Sequence, residues 1–273
     1  CPTVARNAER DWSDTDYRVG AEFKASDDTL LYASYTTGFR SGNFNSRAAA
    51  VAITTPADPE QVKSAEVGLK TTFADGRARV NLAAFQTRYN DIQRIAQGTL
   101  PDGTITQTLL NAGRAEIAGV EIEGTFLVTD ALQLDTSLGW LDPTFKDFRG
   151  IDANRDGVIN AADLEAAKNL RFDRVPDVTA AIAATWTLPL NAFGGEWSLR
   201  GSWSYRSDFD TDVANNPELA QDDYALIDAS LNFRRDDWRV SLFGRNLTNE
   251  WWVDVKSISQ NFQAFGGMPR MYG

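Results

Sequence analysis

The sequence contains no histidine. That absence removes Ser-His-Asp and Cys-His nucleophilic machinery and His-ligated zinc together. It has one cysteine, Cys1, so no disulfide can form within the chain. No run of about 18 apolar residues occurs, so no transmembrane helix is expected. The opening stretch CPTVARNAERDW has no apolar h-region and does not begin a signal peptide. The missing initiator Met suggests a mature chain or a fragment. Basic residues are the minority, 27 against 38 acidic ones, for a formal net charge of -11. With no basic patch, no nucleic-acid partner is expected. No paired-carboxylate constellation stands out, so the expectation is a protein that is not an enzyme.

What the chain does have is aromatic residues, 8 Trp, 15 Phe and 7 Tyr, on a background of negative mean hydropathy. That mix suits a soluble β protein. It suits equally an outer-membrane barrel, whose strands need only one apolar face. The clearest unit is the stretch Tyr224 to Glu250. Ile227, Ala229, Leu231 and Phe233 alternate with Asp228, Ser230, Asn232 and Arg234. After the polar Arg235-Asp236-Asp237 connection, Trp238, Val240, Leu242 and Gly244 alternate with Arg239, Ser241, Phe243 and Arg245. A period of two is the strand signature, because successive side chains leave opposite faces. Each arm is long enough to cross a bilayer as a tilted strand, which takes roughly 9–11 residues.

The same unit repeats along the chain. Strands are expected at Tyr17–Phe23, Thr29–Thr37, Lys63–Phe73, Ala78–Ile92 (with a bulge near Ala83-Ala84), Ala115–Val128, Leu132–Phe145, Val178–Leu188 and Trp197–Tyr205, then the two arms above and a last strand starting at Met268. Short turns, such as Ser26-Asp27-Asp28 and the hairpin signal Asp75-Gly76, alternate with long loops at 38–62, 97–110, 146–174, 207–222 and 251–267. Pro101-Asp102-Gly103 is expected to tip a small hairpin in the second long loop. Sandwiches and propellers give long loops no reason to fall always on one end. Outer-membrane barrels do, with short periplasmic turns and long extracellular loops. The polar face carries Glu66, Lys70, Arg79, Glu121, Glu123, Asp135, Arg200, Arg206, Asp228, Arg239 and Arg245, which suits a wet lumen. Aromatics near strand ends, Phe73, Trp197, Trp238 and Tyr205, suit interfacial girdles. The expected fold is therefore all-β: an antiparallel, up-and-down transmembrane β-barrel with a short helix in one long loop.

Four stretches then carry a resemblance. These are TLLYASYTTGFRSGNFN (29–45), PEQVKSAEVGLKTTFADGRARVNLAAFQTRYNDIQ (59–93), NAGRAEIAGVEIEGTF (111–126) and SLFGRNLTNEWW (241–252). Within them stand Tyr35, Gly38, Phe39 and Arg40; Pro59, Glu60, Val62, Ser64, Glu66 and Gly68; Asn111, Ala112, Gly113, Gly119, Val120 and Glu121; and Asn246-Leu247. In this order the motifs resemble the C-terminal half of a TonB-dependent receptor, across essentially the whole of 1–273. The resemblance implies the second half of a barrel of about 22 strands. The plug and the TonB box lie outside it, and the chain stops at Gly273 before the family's aromatic-ended last strand. It also implies a place in the outer membrane and outer-membrane lipid as surroundings. The implied activity is uptake of a scarce solute, most often a ferric siderophore, energised by the TonB complex through the plug. Phe39, Arg40, Asn43 and Phe44 would lie near the mouth and touch the ligand.

The third long loop carries a different signal. Asp152, Asn154, Asp156, Gly157, Val158, Asn160 and Asp163 fit the D-x-N-x-D-G-x-I-x-x-x-D spacing of an EF-hand-like, dockerin-type loop, within an insertion at 150–171. Asp152, Asn154 and Asp156 would converge side-chain oxygens on calcium, Val158 would offer its carbonyl, and Asn160 and Asp163 would complete the sphere. Asn160 is also placed to cap a helix from Ala161 to about Leu170. The closing Asp replaces the longer Glu and no helix precedes the loop, which points to weak binding of the extracellular class, about 10⁻⁴–10⁻³ M. Calcium here would clamp the loop. Two other functions compete with energised uptake: a passive porin-like or structural outer-membrane barrel, and a secreted calcium-binding β adhesion protein. An upstream plug separates the first from the second, and detergent dependence separates both from the third.

Overall fold

Alternating strands joined by short polar turns have one simple resolution, which is to pair each strand with the next. The computed structural model describes residues 9–45, 56–99, 105–151, 153–154, 161–258 and 262–273. It contains β1 (Arg18–Ser26), β2 (Thr29–Arg40), β3 (Glu60–Phe73), β4 (Ala78–Asn90), β5 (Gln93–Thr99), β6 (Ile105–Asn111), β7 (Gly113–Leu127), β8 (Leu132–Phe148), α1 (Ala161–Ala166), β9 (Val178–Leu188), β10 (Glu196–Arg206), β11 (Tyr224–Arg235), β12 (Trp238–Arg245), β13 (Val253–Ile258), β14 (Phe262–Gly266) and β15 (Met271–Tyr272). An 11-stranded sheet runs in the order β1-β2-β3-β4-β7-β8-β9-β10-β11-β12-β15. Its neighbours are antiparallel throughout. The sheet is not closed, so the architecture is a partial barrel. The leftover strands form two small hairpins, β5-β6 and β13-β14, inside the second and fifth long loops.

The register sorts side chains into two faces, because residues directly opposite in antiparallel strands share a face. One row reads Leu199, Leu231 and Leu242; another reads Trp140 opposite Val178; a third reads Val67, Ala84 and Val120. Val67, Leu138, Ile182, Leu199 and Leu242 on this face are exposed, as a lipid-facing band requires. The opposite face carries the charges. Lys70 lies opposite Asn81, which lies opposite Glu123, and Arg79, Thr125 and Asp135 follow one strand step nearer the turns. Along this wall Arg200 Nη1 donates to Thr185 Oγ1 at 2.8 Å and lies 3.7 Å from Asp135 Oδ2. Aromatics collect at both ends of the apolar band: Tyr17 beside Tyr35 and Trp203 beside Tyr205 at the loop end, Trp197 beside Phe233 at the turn end.

The short turns are built as expected. Ala74, Asp75 and Gly76 all take positive φ, 53°, 54° and 82°, and Asp236 takes 48° in the β11-β12 turn. Three expectations are corrected. The strand ending in Thr37 continues to Arg40, with Gly38, Phe39 and Arg40 opposite Val62, Gln61 and Glu60. Gly38 looks like a breaker in sequence, but a Cβ there would lie 2.7 Å from Val62 Cγ1, so glycine is what lets the pair close. The bulge expected at Ala83-Ala84 is absent, since the ladders to β3 and β7 are unbroken there. A register shift falls instead between Arg114 and Ala115. The third loop starts after Phe148, because β8 extends past Phe145. The helix expected from Ala161 is α1, continued by a 3-10 turn at Ala167–Asn169. The hairpin tip at Pro101-Asp102-Gly103 lies outside the described residues.

Leu231 sits about midway along β11 on the apolar face, and Asn232 beside it on the polar face. Arg at a lipid-facing midplane position costs about 2–4 kcal/mol, and far less on the lumenal face. Leu231→Arg is therefore expected to destabilise the barrel in phospholipid vesicles by that amount in equilibrium denaturant unfolding, and Asn232→Arg to have a small effect. Equal effects would contradict the assignment of the two faces.

Candidate ligand mouth

All the long connections leave the sheet at one end, so the ends of β2, β4, β8, β10 and β12 together form the mouth. The first connection is pinned at its base. Asn43 and Ala57 exchange backbone hydrogen bonds at 3.2 and 2.9 Å. Gly42 is buried under the Trp12 ring, where a Cβ would clash. Phe44 lies against Trp12, ring centroids 6.1 Å apart. Of the expected ligand residues, Phe39 and Arg40 close the β2 ladder and Asn43 and Phe44 belong to this pinned base. Arg40 is exposed and lies on the lumenal register, opposite Glu60. All four lie at the loop end of the sheet, Phe39 opposite Gln61 on the outward register shared with Val67 and Ala33.

Side-chain amides, one buried and one half-buried, fasten the first connection to the second. Gln93 Nε2 donates to Ser41 O and Asp58 O, both at 2.9 Å, and Gln93 N donates to Glu60 Oε2 at 2.7 Å. Asn111 accepts from Asp58 N at 2.7 Å and donates to Asp58 O and Asp91 O at 2.8 Å. Next to it Ala112 is fully buried, and Gly113 takes φ 115°, where a Cβ would fall on the Asp147 carbonyl oxygen.

Apolar packing fastens the second connection to the third. Ile92, Ala112 and Ala115 meet Phe145, Phe148, Ile151, Ala167 and Phe172 in one cluster. The ring of Phe145 stacks on Phe148 at 4.4 Å and on Phe172 at 4.2 Å, and the Arg94 guanidinium lies over Phe172 at 5.3 Å.

Charge fastens the third to the fourth. Arg171 Nη1 donates to Asp208 Oδ2 at 2.6 Å, Nη2 donates to Asp177 Oδ2 at 3.4 Å, and Asp210 stands 3.9 Å away. Burial alone would lower the Arg171 pKa. The bond to Asp208 and the charges of Asp177, Asp208 and Asp210 outweigh it and hold the pKa above its ordinary value. Arg171 N also donates to Asn215 Oδ1 at 2.6 Å.

The fourth connection is fastened to the fifth by Val253 N donating to Gln221 Oε1 at 2.9 Å, by Thr211 Oγ1 donating to Lys256 O at 3.1 Å, and by Lys256 Nζ donating to Ala220 O. Tyr224 stacks on Trp252 at 5.0 Å. Asn246, buried at φ 49°, gathers the last turn through Glu250 and Met268.

The calcium pattern is only partly placed. Asp152, Asp156, Val158 and Asn160 lie outside the described residues. Asp163 is 3 % exposed, and its Oδ1 accepts from the amides of Ala153 at 2.8 Å and Asn154 at 3.1 Å. Among the described residues no cluster of three or more His, Cys, Asp or Glu could hold a metal.

Against known proteins, a family model described as TonB dependent receptor-like, beta-barrel matches residues 2–247. The chain belongs to that family. TonB-dependent receptors are outer-membrane transport proteins rather than enzymes, so the outer membrane is where this barrel resides. The chain is 26 % identical over 265 residues to the ferric-pyoverdine 358 receptor of Pseudomonas putida, covering 93 % of this chain and 27 % of the relative. It thus spans about a quarter of that protein's length. Its fold matches the ferric yersiniabactin uptake receptor of Yersinia pestis with a TM-score of 0.74 at 20 % identity, over 93 % of this chain and 35 % of that one. It matches the ferric preacinetobactin receptor of Acinetobacter baumannii with a TM-score of 0.66 at 21 % identity, over 99 % and 37 %.

Several residues of the resemblance motifs are fastenings. Glu60, Asn111, Gly113 and Asn246 hold connections in place. Gln93, Arg171 and Gln221 do the same work, and sequence reading passed over them. Asn111→Ala removes three hydrogen bonds from a half-buried position, and each buried group left without its partner costs about 1–3 kcal/mol. Amide exchange at Asp58 and Ala112 is expected to rise roughly tenfold or more in this variant, while exchange in β10 and β11 stays unchanged. A uniform rise across the sheet would make Asn111 a residue of global stability instead.

Proposed function

We propose that this chain forms the C-terminal half of the barrel of a receptor that takes up a ferric siderophore across the outer membrane, energised through TonB. The mouth carries the reading: five long connections, all at one end of a family barrel, each fastened to the next along one rim. Pre-ordered connections lower the entropic penalty of ordering loops on a ligand. The relatives named above for ferric pyoverdine, yersiniabactin and preacinetobactin support an iron-chelate ligand. Arg40 is the residue we assign to an anionic part of it, being exposed, cationic and on the lumenal register. Asn43 and Phe44 shape the rim beside it, and Phe39 stands on the outward register at the same rim.

In the full-length receptor, Arg40→Ala is expected to weaken ferric-siderophore binding by about tenfold or more, since hydrogen bonds to charged groups contribute about 1.5–3 kcal/mol. Heat-modifiable gel mobility should stay unchanged. Unaltered affinity would remove Arg40 from the site. Radiolabelled iron uptake that persists without TonB would overturn the energised reading in favour of a passive pore.

The proposal includes a structural calcium ion held by Asp152, Asn154, Asp156, the Val158 carbonyl, Asn160 and Asp163. An all-oxygen donor set suits a hard cation. The fold of Asp163 back onto the Ala153 and Asn154 amides supports a closed loop. Because those bonds give Asp163 a role without metal, the test leaves it intact. Asp152→Ala combined with Asp156→Ala is expected to abolish calcium-dependent protection of the third connection from limited proteolysis, with the barrel still folded. Cleavage of the parent protein that is the same with and without calcium would dispose of the ion.

A further inference from the structure

The short-turn end of the sheet is not uniform. The turns β1-β2, β3-β4, β7-β8 and β11-β12 carry charges: Asp27 and Asp28, Asp75 and Arg77, Asp130, and Asp236 and Asp237. From Pro189 to Gly195, between β9 and β10, there is none. In their place Leu190 is 53 % exposed and Phe193 is 78 % exposed. Phe193 takes φ 58°, a conformation unfavourable for a bulky residue, and so is held where it stands. Two bonds hold it. Arg235 Nη1 donates to the Phe193 carbonyl at 2.8 Å, and Trp197 Nε1 donates to the Ala192 carbonyl at 3.1 Å. The Phe193 ring lies 6.4 Å from Trp197, whose ring lies 4.8 Å from Phe233, and both of those belong to the lipid-facing band. Trp238, 72 % exposed, stands opposite Arg235 on the same face.

We propose that the 189–195 turn is a membrane anchor, seated in the periplasmic phospholipid leaflet while the charged turns stay in water. Leu190 and Phe193 extend the apolar band by one turn beyond the strand ends, and continuity with that band selects lipid as the occupant. The Arg235 guanidinium, beside two aromatic rings and a polar turn, sits at the level of lipid phosphates, where a long cationic side chain keeps its stem in apolar surroundings and its head in polar ones. The aromatic group around it has the amphipathic character of an interfacial belt.

The test uses the full-length receptor with Cys1→Ser in phospholipid nanodiscs, labelled with a polarity-sensitive dye at Leu190→Cys, Phe193→Cys or Asp237→Cys. The heat-modifiable, folded fraction is measured. Labels at 190 and 193 are expected to show blue-shifted emission, quenching by bromine on lipid acyl chains and little quenching by aqueous iodide. The label at 237 should show the reverse. The two apolar positions are labelled separately, so a variant that fails to fold still leaves the other. Iodide access at 190 and 193 equal to that at 237 overturns the proposal. Shielding from iodide without quenching by brominated lipid also overturns it, and makes the cover a protein.

Discussion

A peptide group surrounded by hydrocarbon has only other peptide groups to hydrogen-bond to. That constraint governs this molecule. It makes each strand of the wall pair with the next strand of the wall, because a ladder is the cheapest way to satisfy the backbone of an up-and-down chain. It forces the two faces apart, one for lipid and one for water. It also makes an open edge intolerable in the bilayer, so the sheet ending at β1 and β15 is complete only as part of a closed barrel. The apolar face needs no precise interlocking, since lipid conforms to it. Specific packing is concentrated where lipid is absent, in the cluster around Phe145 and Phe148 at the mouth.

This division explains what was legible in the sequence. The strands of the wall were, because one-face burial prints a period of two that survives any loop between strands. So was the strict alternation of short and long connections. Errors arose where a residue's local preference and its tertiary surroundings disagree. Gly38 argues for a break and is in fact the small residue that admits Val62. The Ala83-Ala84 pair looks like a slipped register only because alanine serves either face. The β13-β14 hairpin falls where a loop is expected because VDVKSI and FQAFG are short, and FQAFG is exposed along its whole length.

The mouth was less legible than the wall. Its fastenings join residues such as Gln93 and Ser41, or Arg171 and Asp208, that lie far apart in sequence and follow no period. A single buried amide leaves no pattern to count. The resemblance motifs marked several of these residues without disclosing their work, which is structural. Arg40, placed by its motif, is exposed and, among the described residues, bonds no connection to its neighbour.

The fastenings lie mostly near the strand ends, at Ser41 and Asp58, at Gln93 and Asn111, at Gln221 and Asn246. Roots and tips of the connections therefore carry different structural burdens. A tip can be lengthened, shortened or rewritten without disturbing the seam that holds its neighbour, and a root cannot. The mouth can therefore accept new lengths at its tips while the barrel and its seam stay as they are.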